Sequence, residues 1–263
     1  MILSGLKPIE VSDCGTASAA TVDHTEAGQR LVEGKGRSMT RSFIDFSDGG
    51  RPSVADGRLD APAFHRNHGP IWSVLAGYVS AGGGHVLEVG SGTGQHIVEF
   101  ARRAPHIIWW PSDCDDTHLA SVEAWRSHSQ LANIRAARRI DLSDPAWGLG
   151  QSEIDAEGGL KSIICINVLH ISPWRASEGL LSGARRHLHP DRRLFVYGPF
   201  MRNGRHTAPS NATFDARLRS QNAEWGLRDT DELRQLAIAS GFELVDITDM
   251  PANNLTLTFV RRP

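Results

Sequence analysis

Residues Val86–Gly94 read VLEVGSGTG, and this stretch decides the fold. A short apolar run, His85–Val89, enters three glycines set two apart, Gly90, Gly92 and Gly94, and a helical pattern begins at once with Gln95–Arg103. Glycines at such a junction turn tightly and let backbone approach a ligand, while the helix start offers free N–H groups. A loop that only reverses the chain would use the same residues, so three details matter. The spacing is G-x-G-x-G, not the G-x-G-x-x-G of the dinucleotide fingerprint. Glu88 stands at the strand end just before the first glycine, where a carboxylate repels a pyrophosphate and attracts a cationic ligand directly or through water. Asp113 follows the next strand, about twenty residues on, where an acid accepts hydrogen bonds from ribose hydroxyls.

Outward from this stretch, apolar segments alternate in type. Ala63–Ser80 is expected to be helical after Pro70, with Ile71, Val74, Leu75 and Tyr78 on one face. His106–Trp110 reads as a strand, 116–129 as a helix and Ile134–Ile140 as a third strand. Lys161–Asn167 is a continuous apolar run of the kind buried on both faces of a sheet. Trp174–His187 reads as a helix, Arg193–Tyr197 as a strand and Asp229–Ala239 as a helix with Glu232 in its first turn. Phe242–Thr248 and Asn254–Val260 close the series as strands. Strands separated by helices mean an α/β fold, an open and largely parallel sheet covered on both faces. Residues 1–60 are rich in Gly, Ser, Thr and Asp, with little apolar periodicity beyond Ser42–Phe46. They are expected to form a flexible extension to a domain at 61–263.

Composition excludes several classes. The chain has 263 residues, 40% hydrophobic and 22% charged, enough for a sizeable core. A formal net charge of -2 gives no footprint for nucleic acid or anionic lipid. No run approaches the ~20 apolar residues of a membrane span, and the N-terminus lacks the pattern of a secretory signal. Cys14, Cys114 and Cys165 are too far apart for a CxxC pair, which fits a reducing cytoplasm. His65 with His68, or His187 with His189, could share a metal, but no nearby cysteine completes a ligand set, and no metal is expected.

These motifs resemble the class I S-adenosylmethionine-dependent methyltransferases. The resemblance implies that Glu88, Gly90, Ser91, Gly92 and Gly94 contact the methionine part of S-adenosyl-L-methionine, Asp113 the ribose, and Asp141 and Leu142 in RRIDL the adenine. Cys165–His170 (CINVLH), with Asn167, then ends a strand beside the transferred methyl. A closer resemblance, from about Ala63 to the C-terminus, is to the uncharacterised methyltransferase-like 26 family. It rests on VLEVGSGTGQH, WWPSDCD, NVLHISPW, YGPF, HTAPSNATFDARLR, EWGLRD and MPANN, and it implies the cofactor fold without a settled substrate. The chain departs from that family in an insertion-like stretch, Gly148–Gly159, which lengthens the loop before the fourth strand. That fold is a Rossmann-like, seven-stranded, mainly parallel sheet with an antiparallel strand near the C-terminus.

The expected activity is methyl transfer to O, N or S of a small, partly apolar acceptor. His170 is placed either as a general base or as a histidine that orients a loop or touches the cofactor without moving a proton. Tyr197 either binds the acceptor or packs a loop. Asn211, Asp215 and Arg219 share a helical face, on a helix whose cap is expected at Ser210. Asn211–Asp215 is expected to join Asn167–Trp174 and Tyr197–Phe200 in the rim that binds the acceptor, with His170, Tyr197 and Asn211 as the candidates at the reaction centre. Asn253 and Asn254 either reach the same cleft or make a turn. Two other readings stand beside this one. One is cofactor binding without catalysis. The other is a nicotinamide-dependent oxidoreductase using Asp113 on a ribose, against which the glycine spacing and Glu88 both argue.

Overall fold

The computed structural model describes residues 56–79, 82–144, 146–149 and 159–263. Most of the expected N-terminal extension, including Ser42–Phe46, and most of the loop at 148–159 lie outside the described residues. Among the described residues the main sheet has seven strands: β1 (Gly84–Val89), β2 (Ile107–Asp113), β3 (Arg138–Arg139), β4 (Leu160–Ile166), β5 (Leu188–Arg202), β6 (Phe242–Met250) and β7 (Asn254–Arg261). Their order is β3-β2-β1-β4-β5-β7-β6. β1 to β5 run parallel, and β7 is antiparallel to both β5 and β6. Two-residue strands at Arg205–His206 and Arg228–Asp229 add to the far end of β5.

Helices cover both faces: α1 (Pro62–Val79), α2 (Gln95–Arg103), α3 (Asp116–Ser129), α4 (Trp174–His187), α5 (Pro209–Gln221) and α6 (Thr230–Ala239). Side chains alternate across each strand. Val86, Ile164 and Phe195 therefore join Ile71 and Leu75 of α1 and Ile97 and Phe100 of α2 in one core. Leu87, Ile163 and Leu194 join Leu180 and Leu181 of α4 and Leu233 of α6 in the other. Two helix starts rest on aspartates. The Asp115 side chain accepts from the amides of Thr117 and His118, and that of Asp229 from Asp231.

Four boundaries differ from expectation. α1 is helical throughout, beginning at Pro62 and carrying Pro70 inside. The turn before Pro70 survives the lost N–H because Asn67 is buried and Phe64 stacks on His68. The third strand shrinks to Arg138–Arg139, with one isolated bridge between Trp109 and Ile134. Only Ile134 and Ile140 of that run are buried, and residues 135–137 between the bridge and β3 are outside the ladder. β5 is longer than its apolar centre at both ends. The cap of α5 is Ala208, with Pro209 in its first turn; Ser210 lies inside the helix.

Candidate functional site

The junction of β1 and α2 is built from its backbone outward. Gly90, Gly92 and Gly94 all take left-handed φ values of 69°, 56° and 88°. Two of the three glycines are required by protein neighbours. A Cβ on Gly90 would lie 2.5 Å from Val168 Cγ2, and one on Gly94 would lie 2.8 Å from Val122 Cα. At Gly92 nothing stands within 4 Å, so this turn presents open backbone on one side. The Ser91 amide donates to the Ser112 carbonyl at 2.8 Å, and the Ser112 amide donates back to Ser91 Oγ at 3.2 Å.

Beneath the turn lies Glu88, 1% exposed. Burial pushes its carboxyl up to about 8; the hydrogen bond from Ser91 opposes that, and the charge of Asp113 adds to it. Its Oε2 is buried without a hydrogen-bond partner among the described residues. An orphaned carboxylate oxygen is unfavourable unless a donor reaches it. Open backbone above and an unpaired acid below fit a ligand that carries an ammonium group.

Asp113 closes the other side. Its Oδ2 accepts from the Gly92 amide at 2.8 Å, and its Oδ1 accepts from the Asp115 amide at 3.0 Å. His118 Nδ1 stands 3.2 Å from Oδ1. Burial works to raise this carboxyl, but the hydrogen bond and charge of His118, with the two amides, outweigh it and hold it below the usual range. Burial likewise works against a charged His118, and Asp113 with Asp115 overcomes it, raising the imidazole above its ordinary value. Asp141 is exposed, and its Oδ1 accepts from the Ser143 amide at 2.8 Å. The residue before it is tied to Asp113, whose carbonyl accepts from the Ile140 amide at 3.1 Å. Burial, then the charges of Asp113 and Asp141, push the Cys114 thiol up to about 11. Leu142, in contrast, belongs to the core, and its carbonyl closes on Gly179 of α4.

Asn167 and His170 follow β4. Asn167 has a left-handed φ of 59°, and its amide donates to the Tyr197 carbonyl at 2.9 Å. Both side chains converge on Gly198, where an added Cβ would meet His170 Nδ1 at 3.4 Å and Asn167 Oδ1 at 3.7 Å. His170 is buried and meets the Phe214 ring edge-on at 5.6 Å. Burial, and then the charge of Arg228, bring its imidazole down to about 4. Neither of its ring nitrogens has a hydrogen-bond partner among the described residues. A neutral ring that resists protonation suits orientation or contact better than proton transfer.

The other two residues expected at the reaction centre are Tyr197 and Asn211. Tyr197 points to the face under α1 and packs in that core; burial, opposed by the Asn67 side chain and the charge of Arg66, raises its hydroxyl above the ordinary value. Asn211 is buried at the start of α5 and donates to Thr207 Oγ1 at 2.9 Å and to the Asn253 carbonyl at 3.0 Å. Asp215 shares its face, accepting from the Leu227 amide at 2.7 Å and lying 3.1 Å from both His206 Nε2 and Arg219 Nε. Sequence reasoning missed His118, Val168, Phe214 and Arg228. Only His118 had a usable signal, since it falls in the first turn of a helix starting just after Asp113. The others act through packing and through backbone bonds, such as Arg228 Nε donating to the Leu169 carbonyl at 3.2 Å.

A family model described as "Protein of unknown function (DUF938)" matches residues 58–261. Among solved structures, the chain is similar to an O-methyltransferase family protein from Burkholderia thailandensis. The TM-score is 0.61 at 18% identity, over 76% of this chain and 57% of that one. It is also similar to the S-adenosylmethionine-dependent methyltransferase SibL, with TM-score 0.60 and 17% identity over 76% and 56%. A third is an O-methyltransferase family 2 protein from Planctomyces limnophilus in complex with apigenin, with TM-score 0.55 and 16% identity over 67% and 49%. The chain thus spans about half the length of these structures, and the likeness is one of fold. Among the described residues no helix is long and apolar enough to cross a membrane.

Proposed function

The chain belongs to this family of unknown function, and from that premise we propose that it is an S-adenosylmethionine-dependent methyltransferase acting on a small-molecule acceptor. The observation that carries the reading is Glu88, buried with an unpartnered Oε2 beneath the open backbone of Gly92. When bound, S-adenosyl-L-methionine supplies a methyl group on a sulfonium that departs as a neutral thioether, so the protein needs chiefly to align and to exclude water. Glu88 holds the ammonium group. Asp113 Oδ2 accepts one hydrogen bond, from Gly92, and keeps a lone pair for a ribose hydroxyl. Asn167 and His170 border the reacting groups, with His170 as an orienting side chain. The motif resemblance to the methyltransferase-like 26 family and the likeness of fold to methyltransferases support the same reading.

A nicotinamide cofactor would bring a pyrophosphate to this turn, whose G-x-G-x-G spacing is not that of the dinucleotide fingerprint. Calorimetric titration of the full chain with S-adenosylmethionine and with NAD separates the two. Binding of NAD alone would overturn the proposal. Transfer of labelled methyl from S-adenosylmethionine into a metabolite extract tests turnover, and its absence with intact cofactor binding would leave a binding protein without catalysis.

A further inference from the structure

Beyond the end of β5 the chain forms a two-residue hairpin, Arg202–Asn203–Gly204–Arg205. Asn203 and Gly204 both have left-handed φ, 52° and 69°, as a tight hairpin of this length requires. The Gly204 amide is pinned to Asp229 Oδ2 at 2.7 Å. Arg202 and Arg205 are thereby direct cross-strand partners. Like charges directly opposite disfavour a strand pair, so the stability of the hairpin does not account for this arrangement. Arg205 has no ion-pair or hydrogen-bond partner among the described residues. Arg202 has Asp249, at 3.0 Å, but that carboxylate is 81% exposed and the pair is a weak one. Arg202 Nε is buried with nothing to receive its hydrogen among the described residues.

Both arginines line a cleft of about 440 Å³, the size of a small-molecule site. Its apolar side is formed by the buried residues Met250 and Leu255. Another wall is the turn joining β6 to β7, where Ala252 and Asn253 are left-handed in succession, with φ of 58° and 59°. Alanine is disfavoured there, and such strain persists where the surroundings enforce it. Here they do: Asn211 donates to the Asn253 carbonyl, and Asn253 Nδ2 donates to Ser210 Oγ at 3.3 Å. The cleft opens at the carboxyl end of β5, on the sheet edge that also carries the glycine turn, where ligands of open α/β sheets bind.

We propose that this cleft receives the methyl acceptor, and that the acceptor is an organic anion: an apolar body seated on Met250 and Leu255, with an oxyanion held between Arg202 and Arg205. Calling the occupant the acceptor rests on the methyltransferase reading; the anion site itself does not. Asn211 is then a positioning residue, holding the turn that shapes the cleft.

The test is calorimetric titration of the full chain with 2-naphthoate, its neutral isostere 2-naphthamide, and inorganic phosphate. The acid is expected to bind about tenfold more tightly than the amide, since a charge-assisted guanidinium contact is lost in the amide, and to outbind phosphate, which cannot use the apolar floor. Arg205→Gln, on an exposed side chain, should weaken naphthoate about tenfold, while Asp249→Asn, which frees Arg202, should strengthen it about threefold. Neither substitution should alter S-adenosylmethionine affinity. Equal affinity for acid and amide, no binding of the acid at millimolar concentration, phosphate matching naphthoate, or indifference to Arg205→Gln would each overturn the proposal. If naphthoate behaves as expected but S-adenosylmethionine does not bind, the methyltransferase reading fails and the anion site stands.

Discussion

Burial pushes the Glu88 carboxyl up to about 8, which favours its protonated form in the ligand-free protein at neutral pH. Its ordinary value is 4.5, so the folded protein holds this proton more tightly than the unfolded chain does. The associated stability is complete below 4.5 and is lost as the pH rises through 8. Glu88→Gln should therefore flatten the alkaline fall in melting temperature of the ligand-free protein and weaken S-adenosylmethionine by about tenfold, ~1.4 kcal/mol. An ammonium group at Glu88 favours its ionised form, so binding at pH 7 should release a proton. Calorimetry in two buffers of different ionisation enthalpy reads this directly, and a binding enthalpy independent of buffer would refute it. The Asp113–His118 pair has the complementary profile. Asp113 is lowered and His118 raised, so their joint contribution is full between the ordinary values of 3.8 and 6.5. It is lost on the acid side as Asp113 protonates and on the alkaline side as His118 deprotonates. His118→Phe should lower the melting temperature most near pH 5 and progressively less toward pH 9; a constant difference would mean the ring acts only by packing. Glu88 and Asp113 were legible in the sequence because strand ends and glycine spacing fix their places. For His118 the place in the first turn after Asp113 was legible, but the direction in which that turn faces, on which its role depends, was not.

At the scale of elements, the glycine turn separates two roles that its sequence shows as one repeat. A methyl on Gly90 collides with Val168, a branched side chain with little freedom, at 2.5 Å. A methyl on Gly92 meets no protein atom and carries only the left-handed backbone penalty, about 1 kcal/mol. Gly90→Ala should therefore destabilise the fold and be partly rescued by Val168→Ala, which removes the colliding atom. Gly92→Ala should melt within a few degrees of the parent and lose S-adenosylmethionine affinity. Unchanged affinity in a folded Gly92→Ala protein would place the cofactor elsewhere. The same division explains what the sequence revealed of the elements. α2, α3 and α4 have the limits expected from periodicity and polar starts. Pro70 misled because packing under α1 outweighs one missing hydrogen bond, and β3 misled because the run at Ile134–Ile140 carries three arginines and buries only its two terminal isoleucines at the sheet edge. Tyr197 was placed on the correct strand, but strand alternation sends its side chain beneath α1, which no composition signal reports.

At the scale of the whole molecule, the question is where the folded unit begins. Residues 58–60, read from sequence as part of an extension, are bonded to the helices that carry the candidate site. The Leu59 amide donates to Ser121 Oγ at 2.9 Å, and Trp125 Nε1 donates to the Leu59 carbonyl at 2.9 Å. Gln95, the first residue of α2, donates to Asp60 Oδ1 at 2.6 Å and accepts from the Ala61 amide at 2.7 Å. Arg58 lies over the Trp125 ring at 4.6 Å. The family match also begins at residue 58. Ser121 in turn donates to the Thr93 carbonyl at 2.8 Å, so the segment reaches the glycine turn through one side chain. A chain starting at Asp56 should keep the melting temperature and S-adenosylmethionine affinity of the full protein. One starting at Ala61 loses the two Leu59 bonds, the Asp60 bond and the Arg58 stacking, each worth ~0.5–1.5 kcal/mol. It should melt several degrees lower and bind the cofactor more weakly, because the start of α2 and the loop at Thr93 lose their outer support. Thermal melts and titrations on both truncations decide it. Equal behaviour of the two would show that residues 56–60 rest on the domain without holding it, and a loss already present in the Asp56 chain would make the preceding residues part of the fold.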